Sequence, residues 1–367
     1  TIIYQELQDH YPGRAGEIVD QLSTDELIAL ATGDPAKDQG ASALGSAGQT
    51  VPGAAAETVN VAEKDPYNVA SIVLADGPAG LRLRSEYQVR EDGSIDGGDF
   101  LDGFENGYFA EPKEPTGTVY HQYCTAIPVG TLLAQSWNLD LMKKLGQMIA
   151  GEMNEFEVTL WLAPGMSLHR NPLCGRNFEY YSEDPLLAGM MASAMTLGVQ
   201  SVPGCGTTIK HYACNNQEDN RMGSDSILSE RTLREIYLKG FEIAICNAQP
   251  MAMMTSYNLI NGVHAANSYD ICTKAARDEW GFEGAIMTDW TTTTDSTAGE
   301  CTAAGCMKAG NDMVMPGDIR DHASIRQALE DGSLDIRELK RCVYHTVKII
   351  LQSNQYEDAV SYEDQFK

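Results

Sequence analysis

The sequence predicts an α/β chain built on a (β/α)8 barrel of the TIM type, and three observations carry that expectation. From about residue 70, short apolar or β-branched runs alternate with longer segments of helical period, the order of repeated βα units around a parallel sheet. The runs are largely apolar throughout, as strands covered on both faces must be. Polar, chemistry-bearing residues follow several of the runs immediately, where a barrel gathers them into one mouth. An open doubly wound sheet is the runner-up, but no G-x-G-x-x-G follows the first run.

The candidate strands, in order, are 71–75 (SIVLA), 158–163 (VTLWLA), 207–211 (TTIKH), 251–256 (MAMMTS), 285–288 (AIMT) and 313–315 (MVM). Between them the helix at 185–200 has Asp184 to cap it, Pro185 at its first position, and Leu186, Leu187, Met190 and Met191 on one face. The helix at 229–247 opens with Ser229 and carries Leu233, Ile236, Tyr237 and Phe241; that at 270–280 runs to Trp280 and stops at Gly281. Helices at 323–330 and 335–352 close the chain. Its Met-rich stripes read as irregular core filling. This divides the chain into lead-in helices and a Gly-rich loop (1–70), the barrel (71–353) and an acidic tail (354–367).

Two stretches, the small-residue 39–56 and the acidic, turn-rich 85–119, read as long loops, either bordering a site or forming solvated insertions. Within the second, Asp92, Ser94, Asp96 and Gly97 imitate the start of a calcium loop, but the twelfth position is Gly103 rather than Glu, so no calcium site is expected.

The charge excludes whole classes of partner. Against 52 acidic side chains stand 26 basic ones, a formal net charge of −26, with no basic run to grip a phosphate backbone or an anionic membrane. No stretch reaches the apolar length of a membrane span and residues 1–20 lack the order of a secretion signal, which predicts a cytoplasmic chain. Nine scattered cysteines without a CxxC pair suit reduced, buried thiols better than a disulfide framework or a zinc site.

Asp76 ends the first run. Arg176 and Glu179 follow the second, Lys210 and His211 end the third, Tyr257 follows the fourth, and Asp289 with Trp290 ends the fifth. Singly, a strand-end Asp is most often a helix cap and a Lys-His pair a surface feature; together they ask for a common cause. A sugar ring supplies one, since its hydroxyls need carboxylates and charged donors, its C–H face an aromatic wall, and its anomeric carbon a carboxylate. Metal catalysis would require His169 and His211 to converge with a carboxylate, and no H-E-x-x-H spacing supports it.

The segments ADGPAGLR (75–82), RNPLCGRNFEYYSEDP (170–185), KHYACNNQEDNR (210–221), MTSYNLING (254–262) and MTDW (287–290), in that order, resemble the barrel domain of glycoside hydrolase family 3, the retaining β-glucosidases and their relatives. LSTDELIALATG (22–33) and VPGAAAET (51–58) are similar to the same family, particularly to β-glucosidases of anaerobic bacteria, and the resemblance runs from about residue 18 to 353. It implies an exo-acting enzyme with no cofactor or metal. Asp289 becomes the nucleophile forming a glycosyl-enzyme ester, and Asp76, Arg176, Lys210, His211 and Tyr257 hold a nonreducing glucose, with Trp290 as an aromatic wall. Lys210 and Arg176 beside Asp289 are expected to keep its pKa low.

The family's β-N-acetylglucosaminidases carry K-H-F-P-G-H-G where this chain has Lys210–His211 followed by YACNNQEDNR, which argues against amino-sugar specificity. In the glucosidase branch the acid/base carboxylate comes from an α/β-sandwich domain, which this sequence does not contain. Some bacterial relatives are circularly permuted, so the resemblance implies a barrel completed by a sandwich on another chain or segment. A sugar-binding barrel without efficient turnover, and a β-xylosidase-type exo-glycosidase, are the alternatives.

Overall fold

A computed structural model describes residues 6–35, 50–61, 68–95, 117–294 and 300–359. Its centre is a six-stranded sheet. Val73–Ala75 pairs in parallel with Leu160–Trp161, which pairs with Gly206–Tyr212, then Ala252–Thr255, then Ala285–Met287. Parallel bridges carry the sheet onward from Met287 to Met313 and from Val314 to Thr32, and an antiparallel bridge joins Gly33 to Thr58. Ala56–Glu57 pairs back onto Val73–Ala75, so the sheet closes on itself as a TIM-like barrel whose ring takes in residues on both sides of residue 71. Five of the six expected strands form within their expected ranges or within a residue of them, and the sixth, 313–315, enters only through its bridges.

One stave departs from the parallel expectation. Ala56–Glu57 runs antiparallel to Val73–Ala75, and among the described residues no helix lies between them. Without a crossover helix the chain can only return antiparallel. The stave falls at the end of the stretch read as a Gly-rich loop; residues 39–49 of that stretch, like Asp96, Gly97 and Gly103, lie outside the described residues. The ends of the acidic insertion are also ordered, since Glu86–Val89 and Thr118–His121 form an antiparallel ribbon on which Tyr87 and Tyr120 stack at 5.6 Å.

The helices begin where local chemistry satisfies their first amides. Asp184 accepts from the N–H groups of Leu186 and Leu187 with proline at the start of Pro185–Val199, and Asp335 with Glu338 forms a capping box for Ile336–Leu351. Leu139–Glu155, not marked by the strand-helix alternation, is capped by Asn138 and buries Met142, Gly146, Ile149, Ala150 and Met153 on one face. It crosses Pro185–Val199 backbone to backbone: a Cβ on Gly198 would lie 2.2 Å from the Lys143 carbonyl oxygen. The expected 229–247 helix is divided, with a π-helical turn at Leu233–Tyr237 before Lys239–Ala248, and Asp270–Glu279 is π-helical throughout.

Strand residues sort by alternation into two packed groups. Val73, Ala75, Trp161, Ile209, Met253 and Ile286 pack with the helices Leu139–Glu155, Pro185–Val199 and Lys239–Ala248. From the opposite face Leu74, Leu160, Leu162, Met254, Met287 and Met313 join a second group. Continuing this second alternation past the strand ends leads from Leu74 to Asp76 and from Met287 to Asp289, which is how the sheet aims both carboxylates at one place.

A buried ion pair ties the closing helix to the ring. Arg277 donates to Asp312 at 2.5 Å, Asp312 also accepts from the Ile286 N–H at 2.7 Å, and His345 Nδ1 lies 3.0 Å from its other oxygen. Burial alone would raise the Asp312 pKa, but Arg277 and His345 hold it down. Asp312→Ala leaves Arg277 charged and buried, and we expect a loss of about 3–5 kcal/mol in urea unfolding; a loss within the spread of surface substitutions would show that the pair does not brace the ring.

Candidate active site

Seven residues singled out from the sequence, Asp76, Arg176, Lys210, His211, Tyr257, Asp289 and Trp290, line one cleft of about 830 Å³. Strand alternation alone cannot account for Lys210 and His211 both reaching it, because successive side chains point to opposite faces. The sheet register shifts between Lys210 and Tyr212, and such an irregularity re-aims a side chain.

At one end of the cleft Asp76 lies between two cations. Lys210 Nζ donates to its Oδ1 and Arg82 Nη2 to its Oδ2, each at 2.6 Å. Burial alone would raise this carboxyl's pKa, but the two charges, the Lys210 hydrogen bond and the Gly77 N–H outweigh it and hold it well below the usual carboxylate range. Asp76 is therefore held as an anion, and beyond its three donors the carboxylate keeps acceptor capacity for a ligand hydroxyl.

Asp289 has the opposite balance. Its side chain is buried, with His211 Nε2 3.4 Å from Oδ2, and Oδ2 has no hydrogen-bond partner among the described residues. Burial pushes its pKa up, against the pull of Arg176, Lys210, Arg221 and the Tyr257 hydroxyl, and the net direction is upward. This corrects the expectation from sequence: the cations are there, but desolvation of the carboxylate exceeds their attraction. If Asp289 acts as an anion, the acidic limb of kcat/KM lies above the ordinary carboxylate range. Arg176→Met, which removes the strongest opposing charge, moves that limb to higher pH; an unmoved limb would mean that another group titrates there.

Glu179, which lines the cleft, and Glu218 are each paired with an arginine. Arg176 Nε donates to Glu179 at 2.7 Å, and Arg221 Nη1 donates to Glu218 at 2.8 Å. Arg221 also lies over the Tyr257 ring, 4.5 Å from its centroid. Trp290 is buried at the cleft wall with its indole N–H unpartnered among the described residues, while Tyr123 and Phe178, both more than half exposed, stand at the cleft rim.

Arg82, Tyr180, Asn215 and Arg221 were not picked out as site residues, although each falls inside a quoted motif. Arg82 stands six residues beyond Asp76, and only the turn that returns its side chain to that carboxylate reveals its place. His169 Nε2 lies 3.0 Å from the Tyr180 carbonyl oxygen, and no cluster of three or more His, Cys, Asp or Glu suited to a metal occurs among the described residues. Asp92 instead accepts from the N–H and hydroxyl of Ser94 in a local turn. Among the described residues no helix is long and apolar enough to cross a membrane.

The model for the glycosyl hydrolase family 3 N terminal domain matches residues 112–349. The chain belongs to that family. It is 38% identical over 274 residues to a β-glucosidase A of Butyrivibrio fibrisolvens, covering 75% of this chain and 27% of that protein. To an exo-α-(1→6)-L-arabinopyranosidase of Bifidobacterium breve it is 42% identical over 226 residues, 62% of this chain and 29% of that one. Among solved structures, β-glucosidase 3B of Thermotoga neapolitana in complex with α-D-glucose matches with a TM-score of 0.74 at 38% identity, covering 92% of this chain and 42% of that chain. The family chain thus spans little more than a quarter of these two curated relatives' lengths.

Proposed function

We propose that this family 3 barrel is the sugar-holding, nucleophile-bearing part of a retaining, exo-acting β-glucosidase. The observation that carries the reading is the cleft itself: a permanently charged Asp76 held by Lys210 and Arg82, across from Asp289 with an unpartnered carboxylate oxygen. Asp76 accepts hydrogen bonds from two hydroxyls at the nonreducing end, Arg176, Lys210, His211 and Tyr257 complete the ring's polar contacts, and Trp290 covers its C–H face. Asp289 attacks the anomeric carbon as the glycosidic C–O bond breaks, giving an ester that water then hydrolyses.

The leaving oxygen needs a proton from an acid about 5–5.5 Å from the nucleophile in a retaining enzyme. Glu179 and Glu218 are held by arginines, which supports a donor outside this chain, and we assign it to an α/β-sandwich domain or partner chain. A reducing, cytoplasmic setting belongs to the same proposal and is supported by nine cysteines that stand free. The 42% identity to a protein named as an arabinopyranosidase favours a second reading, an exo-glycosidase whose subsite takes a pentopyranose.

Leaving-group dependence tests the division of labour. The chain alone should react with a 2,4-dinitrophenyl β-glucoside, whose leaving group needs no proton, and leave cellobiose almost untouched. Full cellobiose turnover by the isolated chain would place the acid within it, with Glu179 and Glu218 the first to replace. A higher kcat/KM on an aryl α-L-arabinopyranoside than on the β-glucoside would favour the second reading.

A further inference from the structure

Behind the cleft a chain of hydrogen bonds leads from Arg221 to His211, the neighbour of Asp289, and its direction can be read bond by bond. Arg221 Nη1 donates to Glu218 Oε2 at 2.8 Å, and Glu218 Oε1 accepts from Asn215 Nδ2 at 3.1 Å. A carboxylate in an ion pair can only accept, so the Asn215 atom facing it is the amide nitrogen. The same nitrogen donates to the Tyr180 hydroxyl oxygen at 2.7 Å, and that hydroxyl lies 2.9 Å from His211 Nδ1.

With its oxygen accepting from Asn215, Tyr180 has its own proton to give. Ser167, the other hydroxyl against His211, lies 3.3 and 3.4 Å from the backbone oxygen and nitrogen of that residue. Ser167 also hydrogen-bonds the Tyr180 side chain; a Tyr180 proton given to His211 Nδ1, 2.9 Å away, makes that nitrogen the lone-pair one. Burial, with the charges of Arg176, Lys210 and Arg221, pushes the His211 ring well below its ordinary pKa, so the ring is neutral and carries one proton, on Nε2. Nε2 is the nitrogen 3.4 Å from the unpartnered Asp289 Oδ2.

We propose that Tyr180 is a positioning residue that, held by Asn215 and the Glu218–Arg221 pair, locks His211 in the Nε2–H tautomer, keeping the ring proton on the nitrogen that stands 3.4 Å from Asp289 Oδ2. This rests on Asp289 being the nucleophile. While Asp289 is an anion its own charge favours Nε2–H. In the glycosyl-enzyme that charge is gone, and the Tyr180 hydrogen bond alone keeps the proton on Nε2. There the N–H supports the carboxylate as the C–O bond to the sugar breaks, so the relay serves release of the ester more than its formation.

The test reads the tautomer directly. In the chain labelled with 15N-histidine, long-range 1H–15N correlation at pH 7, with His211 assigned by the loss of its signals in His211→Asn, should give a protonated Nε2 and a hydrogen-bonded, unprotonated Nδ1. In Tyr180→Phe the Nδ1 resonance should move toward that of an unbonded ring nitrogen. If Tyr180→Phe does not fold, Asn215→Ala should shift Nδ1 in the same direction by less. Trapping with 2,4-dinitrophenyl 2-deoxy-2-fluoro-β-glucoside gives the chemical readout: Tyr180→Phe should form the adduct at close to the wild-type rate and release it about tenfold more slowly or worse, the scale of one hydrogen bond to a charged group. A wild-type His211 protonated on Nδ1 or on both nitrogens overturns the proposal, as does a Tyr180→Phe variant with unchanged shifts or unchanged release. Absence of any adduct in the wild type overturns the nucleophile assignment instead, and leaves the tautomer to be judged from the spectra.

Discussion

Asp289→Asn should form no covalent sugar adduct, and kcat/KM on an aryl β-glucoside should fall by about four orders of magnitude or more. The amide keeps the volume of the carboxyl but is no nucleophile toward the anomeric carbon. The fold should not suffer. Because burial raises the pKa of Asp289 in the folded chain, its ionised form costs folding free energy at pH values above the pKa of the unfolded carboxyl, and below that pKa the cost vanishes. The neutral amide has no such cost, so the unfolding midpoint at neutral pH should be unchanged or higher. Near wild-type hydrolysis by this variant would reassign the nucleophile. A lowered midpoint would mean that the three surrounding cations need the charge more than the carboxylate resents its burial.

Asp76→Ala should show two separable losses. Its carboxylate is placed for two sugar hydroxyls, and at about 1.5–3 kcal/mol for each hydrogen bond to a charged group, kcat/KM should fall by roughly 10²–10⁴. The wild type should discriminate against 4-deoxy and 6-deoxy aryl glucosides, and the variant should lose much of that discrimination. The second loss is of stability. Lys210 has a side chain only 3% exposed, and removing its partner leaves a buried charge, at a cost of about 3–5 kcal/mol. The double variant Asp76→Ala with Lys210→Met should recover much of the stability without recovering the selectivity, since it removes the stranded charge but not the missing acceptor. If Asp76→Ala loses equal factors on all three substrates and the wild type discriminates among none of them, Asp76 is a turn residue and the exo-glucosidase reading loses its main support.

The strands were legible because burial on both faces leaves few choices of residue: SIVLA and MAMMTS announce themselves by composition. The helix at Pro185–Val199 was legible from its capping Asp184 and first-turn proline, signals that act over a few residues. Gly130–Gln135, by contrast, has no side-chain cap and opens on glycine. Its place follows from packing against the Asn177–Glu179 turn, where Thr131 donates to the Asn177 carbonyl oxygen at 2.9 Å. The antiparallel stave at Ala56–Glu57 sits among small residues whose local pattern is that of a loop, and only its partners on both sides make it a strand.

By itself the sequence determined which residues end the strands, and hence that Asp76, Lys210, Asp289 and their neighbours stand at one mouth, because a period of two along a buried strand and the repetition of βα units are local properties. The tertiary structure decided what each of those residues is. Asp76 and Asp289 both follow apolar runs and are alike as sequence, yet one is pinned as an anion by Lys210 and Arg82 and the other is pushed toward its neutral form. That difference depends on whether water or a cation lies within a few ångströms, and Lys210 comes to Asp76 across 134 residues of chain, a separation over which no local pattern carries information.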